Sequence, residues 1–148
     1  MVLDASTVVG IAAKEVAKEA KALAAVAQYT ARGYLFFAPG VIISEALYAL
    51  CQQEQRDLLT QAGYSRAILD LQTLMARVLP PPSGEASLIL RADQIRGSYG
   101  CGRSADAIYI ALAEELSQTY TTRLLTFDQG LPKQAAQNAP LVDVHLLT

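Results

Sequence analysis

The chain has 148 residues, 52% of them hydrophobic and 18% charged, with a formal net charge of −2. This predicts one globular domain spanning 1–148 with a full core, and it argues against disorder. No run of 18 apolar residues predicts a membrane span, and no basic-then-apolar leader opens the chain. In chain order, "VLDA" (2–5) reads as a short strand. Residues 6–33 carry helical periodicity, in two pieces broken near Gly10. Their predicted apolar side is Val16, Ala17, Ala20, Leu23, Ala24, Ala27 and Ala31, and Gly33 is the stop. "YLFFA" (34–38) reads as a second strand ended by Pro39-Gly40. Helices follow at 41–60 and 65–77. "RVLPPPSG" (77–84) reads as a third short strand and a stop, with Ser83 capping a helix through Tyr99. After a break at "GCG" (100–102), Ser104 caps a helix over 105–117. "TRLLTFD" (122–128) is a fourth strand, 129–137 holds a short helix, and "LVDVHLL" (141–147) is a fifth strand.

Short apolar strands alternating with helices predict an α/β fold, with a parallel sheet covered on both faces. Ligands of such folds gather at the carboxyl ends of the strands. His145 is the only histidine, and Cys51 and Cys101 are isolated. A histidine-cysteine zinc site and a histidine-based triad are therefore excluded, and the cysteines suit a reducing cytoplasm. Acid–base or metal chemistry has to rest on carboxylates.

Four carboxylates stand out. Asp4 and Asp128 sit at the carboxyl ends of predicted strands. Asp4 follows Val2-Leu3 with no basic neighbour, although Ser6 or Thr7 would cap the next helix equally well. Asp106 lies in the first turn of its helix, on a face with Tyr109, Ile110, Ala113 and Ser117. Glu114 and Glu115 lie away from that face and read as solvated charges. Glu45 stands among Ile42, Tyr48 and Ala49, with no cation along its helix before Arg56. Carboxylates converging at about 5 Å would repel by roughly 3 kcal/mol per ionised pair at an effective dielectric of ~20. A divalent cation relieves that repulsion, and an all-oxygen set favours Mg²⁺ or Mn²⁺.

The blocks "LDAST", "APGVIISEALYAL", "RSADAIYIALAEEL" and "LLTFDQGL" resemble, in order and spacing, those of the PIN-domain nucleases, particularly VapC-like toxins of toxin–antitoxin pairs. The resemblance implies a three-layer fold around a five-stranded parallel sheet of order 3-2-1-4-5. It implies an acidic metal site of Asp4, Glu45, Asp106 and Asp128, with Ser6 and Thr126 as supporting hydroxyls. It also implies Mg²⁺- or Mn²⁺-dependent cleavage of single-stranded or structured RNA, a homodimer and an antitoxin partner. Where toxins often carry basic residues after the last acid, Gln129-Gly130 stand here.

Basic residues offer two candidate RNA contacts. Lys14, Lys18, Lys21 and Arg32 fall on one helical stripe with Gln28 between them, diluted by Glu15 and Glu19. Arg103, just before Asp106, is within reach of a bound phosphate; a surface salt bridge is its plainer use. Tyr48 and Tyr109 suit base stacking or the core. The alternative to an enzyme is a PIN-like RNA-binding or protein-interaction module. A phosphatase of the haloacid-dehalogenase type needs a second aspartate two residues after the first, and Ser6 occupies that position.

Overall fold

The computed structural model describes residues 1–97 and 99–148. Three parallel strands form its sheet: β1 (Val2–Leu3), β2 (Arg123–Thr126) and β3 (Asp143–Leu146), in the order β1-β2-β3. Val2 faces Leu124 across the first ladder, and Leu124 faces Val144 across the second. Val2, Leu3, Leu124 and Leu125 are all buried. Successive strand side chains point to opposite faces, so burial of consecutive residues means that both faces are covered. Helices α1 (Ala5–Ala12) and α6 (Ser104–Ser117) both pack on β2, and α5 (Ile89–Arg96) packs on α6. The remaining helices are α2 (Val16–Ala31), α3 (Val41–Gln55), α4 (Gln61–Met75) and α7 (Leu131–Asn138).

The expected five strands are three among the described residues. The second and third expected strands are reduced to single bridges, Val2 to Phe37 and Phe37 to Leu79, both parallel. Their order beside β1 is the expected one. The ladders stop for a covalent reason. Phe37 N donates to Met1 O and Leu3 N to Phe37 O, so the next donor in that ladder would be Pro39. Leu79 N donates to Phe36 O and Ala38 N to Leu79 O, so the next donor there would be Pro81. Proline has no N–H, and each ladder ends where it falls.

The helix break expected near Gly10 lies instead at residues 13–15, where Lys14 takes a left-handed φ of 53°. Gly10 stays inside α1. A Cβ there would fall 3.0 Å from Lys18 Cβ, so the glycine lets α1 and α2 approach closely. The apolar side expected for α2 is also displaced. Its buried residues are Ala22, Ala25 and Tyr29, whereas Val16 is 93% exposed. Alanine-rich periodicity identifies the helix but marks its inner face weakly, because alanine buries little area on either side.

Other boundaries shift in ways the local chemistry explains. Thr60 Oγ1 accepts from Gly63 N and starts α4 ahead of the expected Ser65. Gly84, with φ 83°, rather than Ser83 leads into a 3₁₀ turn (Glu85–Leu88) that precedes α5. That helix ends at Arg96; the expectation of helix through Tyr99 crosses Ser98, which lies outside the described residues. A 3₁₀ turn at Cys101–Arg103 runs straight into α6, so Ser104 is its first residue and donates to Cys101 O instead of capping.

Helix α6 is buried nearly all round, through Ala107, Tyr109, Ile110, Ala111, Leu112, Ala113 and Leu116. The two glutamates expected to be solvated are both engaged. Glu114 accepts from Arg91 Nε and Nη2 at 2.5 and 2.8 Å, and Glu115 Oε2 accepts from Ser87 Oγ at 3.0 Å. Together these contacts fix α6 between the sheet and α5, with its first turn at the carboxyl edge of β1 and β2. Among the described residues no helix is long and apolar enough to cross a membrane.

Candidate active site

Asp4 is the first residue beyond β1 and the N-cap of α1, and it is only 6% exposed. Capping and burial coincide in it. Its Oδ2 accepts from Ser6 Oγ at 2.5 Å, Thr126 Oγ1 at 2.7 Å and Ser6 N at 3.3 Å. Burial raises its pKa above the ordinary aspartate value, and the hydrogen bonds from Ser6 and Thr126 partly offset that. Both hydroxyls also accept. Phe127 N donates to Ser6 Oγ at 2.9 Å, and Asp128 N donates to Thr126 Oγ1 at 2.8 Å. The expected supporting hydroxyls therefore link the end of β1 to the loop after β2.

Asp106 projects from the first turn of α6. Burial raises its pKa, Arg103 counters this, and the negative charges of Asp128 and Asp4 add to the rise. Arg103 Nη1 donates to both Asp106 Oδ2 and Asp128 Oδ2, at 2.9 and 3.1 Å. Asp128 Oδ1 accepts from Gly130 N at 2.7 Å, which closes the turn into α7. Glu45 comes from α3, whose buried row is Ile42, Ala46 and Leu50. Its Oε2 accepts from the buried Tyr109 hydroxyl at 2.6 Å. Burial raises the Glu45 pKa, the tyrosine opposes this, and Asp4 and Asp106 push it further up.

All four expected acids, Asp4, Glu45, Asp106 and Asp128, line one cleft of about 380 Å³, together with Ser6, Glu15, Lys18, Tyr48 and Gln53. They come from the residue after β1, from α3 and α6, and from the loop after β2. Among the described residues, however, no three acidic, histidine or cysteine side chains are grouped closely enough to hold a metal ion together. Arg103 bridges two of the four expected acids, Asp106 and Asp128. The donor chemistry still fits a hard divalent cation. Every acidic ligand offers oxygen. Burial pushes Asp4, Glu45 and Asp106 toward protonation, and for Glu45 and Asp106 the charge of neighbouring carboxylates adds to it.

The basic stripe does not assemble as expected. Lys14 lies in the turn before α2, Lys21 points to solvent, and Arg32 lines a different groove with Met1 and Tyr34, at the amino edge of β1. Lys18 alone of these reaches the acidic cleft, where its Nζ lies 2.8 Å from Glu15 Oε2 and 5.8 Å from the Phe127 ring centroid. Of the tyrosines, Tyr109 is core and Tyr48 is exposed on the cleft.

Gln53 is not singled out by the sequence, and Glu15 is read there only as a charge diluting the basic stripe. Gln53 Nε2 donates to Glu15 Oε1 at 2.8 Å, so the two pin the start of α2 to α3 at the cleft rim. Position was their only available signal: Glu15 follows the α1 end, and Gln53 lies two turns beyond Glu45 on α3.

A family model of the PIN domain matches residues 1–137. The chain belongs to the PIN-domain family. The matched span contains all four acids and both hydroxyls, and PIN domains are in general metal-dependent nucleases. No curated protein gave a significant match.

Proposed function

We propose that this PIN domain is an endoribonuclease. In this reading Asp4, Asp106 and Asp128 hold Mg²⁺ or Mn²⁺ with help from Glu45, and single-stranded RNA is cut in the cleft they line. The single observation that carries it is the convergence of four carboxylates, from four separate parts of the chain, on one cleft at the carboxyl edge of the sheet. Burial raises the pKa values of Asp4, Glu45 and Asp106, and repulsion from neighbouring carboxylates adds to the rise for Glu45 and Asp106. Oxygen-only clusters with unrelieved negative charge are what hard cations satisfy. When bound, such a cation supplies Lewis-acid stabilisation of the phosphodiester oxygens and acidifies an attacking water.

The chain's own residues divide the remaining work. Ser6 and Thr126 fix the orientation of Asp4 through Oδ2. Tyr109 fixes Glu45 through Oε2. His145 hydrogen-bonds Tyr29 and does not line the cleft, so a carboxylate takes the proton from the nucleophile. Glu45, with its raised pKa and partial exposure, is the residue placed for that step. Lys18 and Arg103 at the rim are the phosphate contacts.

Single strands are the preferred substrate because a flexible backbone bends into the cleft, whereas a stiff duplex holds its phosphates on a convex surface. We further propose that the chain acts in the cytoplasm as one VapC-like domain, as a homodimer held by an antitoxin until released. Exposed Ile89 and Leu90 on α5 offer apolar area for the dimer contact. The test is incubation of the purified chain with single-stranded RNA, duplex RNA and single-stranded DNA of one sequence. Cleavage of the first with Mg²⁺ or Mn²⁺, abolished by EDTA, is expected. RNA bound but uncut with metal present would favour an RNA-binding module instead.

A further inference from the structure

Arg103 is seated, and the seat has a floor. Its Nη1 lies between Asp106 Oδ2 and Asp128 Oδ2. Behind it stands Gly130, where a Cβ would fall 2.7 Å from both Nη1 and Nη2 and 3.0 Å from Cζ. Gly130 has φ −79° and ψ −28°, a helical conformation open to any residue. Its glycine is therefore not required by the backbone. What it provides is room for the guanidinium, while its N–H holds Asp128 in place. The Arg103 side chain is 40% exposed, so the bridge sits at the rim and opens without unpacking the core.

We propose that Arg103 is the resident counter-ion of the acidic cleft, and that a divalent cation has to displace its guanidinium before using Asp106 and Asp128 together. The proposal rests on the reading of this cleft as a cation site. The arginine carries one delocalised charge and reaches two of the four carboxylates through one nitrogen. A divalent cation carries twice the charge on one small centre and draws on more oxygens. The bridge is solvent-facing, and such ion pairs contribute little on their own. The exchange therefore sets the apparent cation affinity without preventing binding.

Two variants remove the bridge by independent routes. Arg103→Gln removes the charge. Gly130→Ala keeps every charge but places a methyl group where the guanidinium head lies. Mn²⁺ binding to the full, EDTA-stripped chain is measured by calorimetry, and by the loss of the free-Mn²⁺ electron paramagnetic resonance signal. Arg103→Gln is expected to bind Mn²⁺ on the order of tenfold more tightly than wild type. Gly130→Ala is expected to bind about threefold more tightly, and the double variant no more tightly than Arg103→Gln, because both changes remove one bridge. The Mn²⁺-induced rise in melting temperature should grow in the same order, which reports binding without any catalytic readout.

Equal or weaker Mn²⁺ binding by Arg103→Gln, with wild type binding normally, overturns the counter-ion role and leaves the cation site standing. Tightening by Arg103→Gln with none by Gly130→Ala overturns it as well, since the effect would then be charge acting at a distance and not a seated bridge. Absence of Mn²⁺ binding in all forms overturns both this role and the cation-site reading beneath it.

Discussion

Thr126 Oγ1 donates to Asp4 Oδ2 at 2.7 Å, across 122 positions of sequence, and both side chains are buried. The same oxygen accepts from Asp128 N, so one hydroxyl orients one acid directly and a second through its backbone. Thr126→Val keeps the shape and removes both bonds. Asp4 would lose one of its donors inside the protein, and Asp128 N would lose its acceptor. A loss of about 2–3 kcal/mol of unfolding free energy is expected in urea titration. RNA cleavage should fall further than stability alone explains. A variant as stable as wild type would show that Thr126 only fills space.

The raised carboxylates predict a direction for pH dependence in the cation-free protein. The folded-state pKa values of Asp4, Glu45 and Asp106 lie above their ordinary values. Between those limits the folded chain binds more protons than the unfolded chain, so stability falls as pH rises through that window. Below the ordinary carboxylate pKa of about 4 the penalty is absent. Melting in EDTA should therefore show stability declining from weakly acidic pH toward neutrality, with Asp106→Asn flattening the slope. A slope unchanged by Asp106→Asn would remove that residue from the coupled set.

Gln134 in α7 is fully buried, and neither its Nε2 nor its Oε1 has a hydrogen-bond partner among the described residues. A buried amide without partners is costly, while an apolar side chain of similar shape has no such demand. Gln134→Met should raise stability by about 1–2 kcal/mol in chemical denaturation. Loss of stability would mean that the amide is satisfied in solution.

The acids were legible because each breaks a local rule. Asp4 ends an apolar strand, Glu45 interrupts an apolar helix, and Asp106 and Asp128 sit at element ends facing the same sheet edge. Alternation made the parallel sheet legible and the resemblance its strand order, but strand length was not legible. Pro39 and Pro81 end two ladders at single bridges, and only the pairing register reveals that they are the next donors. The basic stripe failed because one backbone angle at Lys14 separates α1 from α2 and takes that lysine off the helix. In sequence Arg103 reads as a surface salt bridge or a phosphate contact. Its second partner, Asp128, lies 25 positions away, and only the fold brings the two together. Gly130 reads in sequence only as a missing basic residue, since the space it leaves is for a side chain that packs across it.

Metal-dependent RNA cleavage in the acidic cleft is tested most directly by the single-turnover cleavage rate of wild type against Asp106→Asn. The substrate is end-labelled single-stranded RNA with Mn²⁺, and melting temperatures are measured on the same samples. Asparagine keeps the side-chain volume and removes a charged ligand, so folding should persist while the rate drops by about 10³-fold or more. Equal rates in two folded proteins would contradict the account, because the activity would then not arise in this cleft.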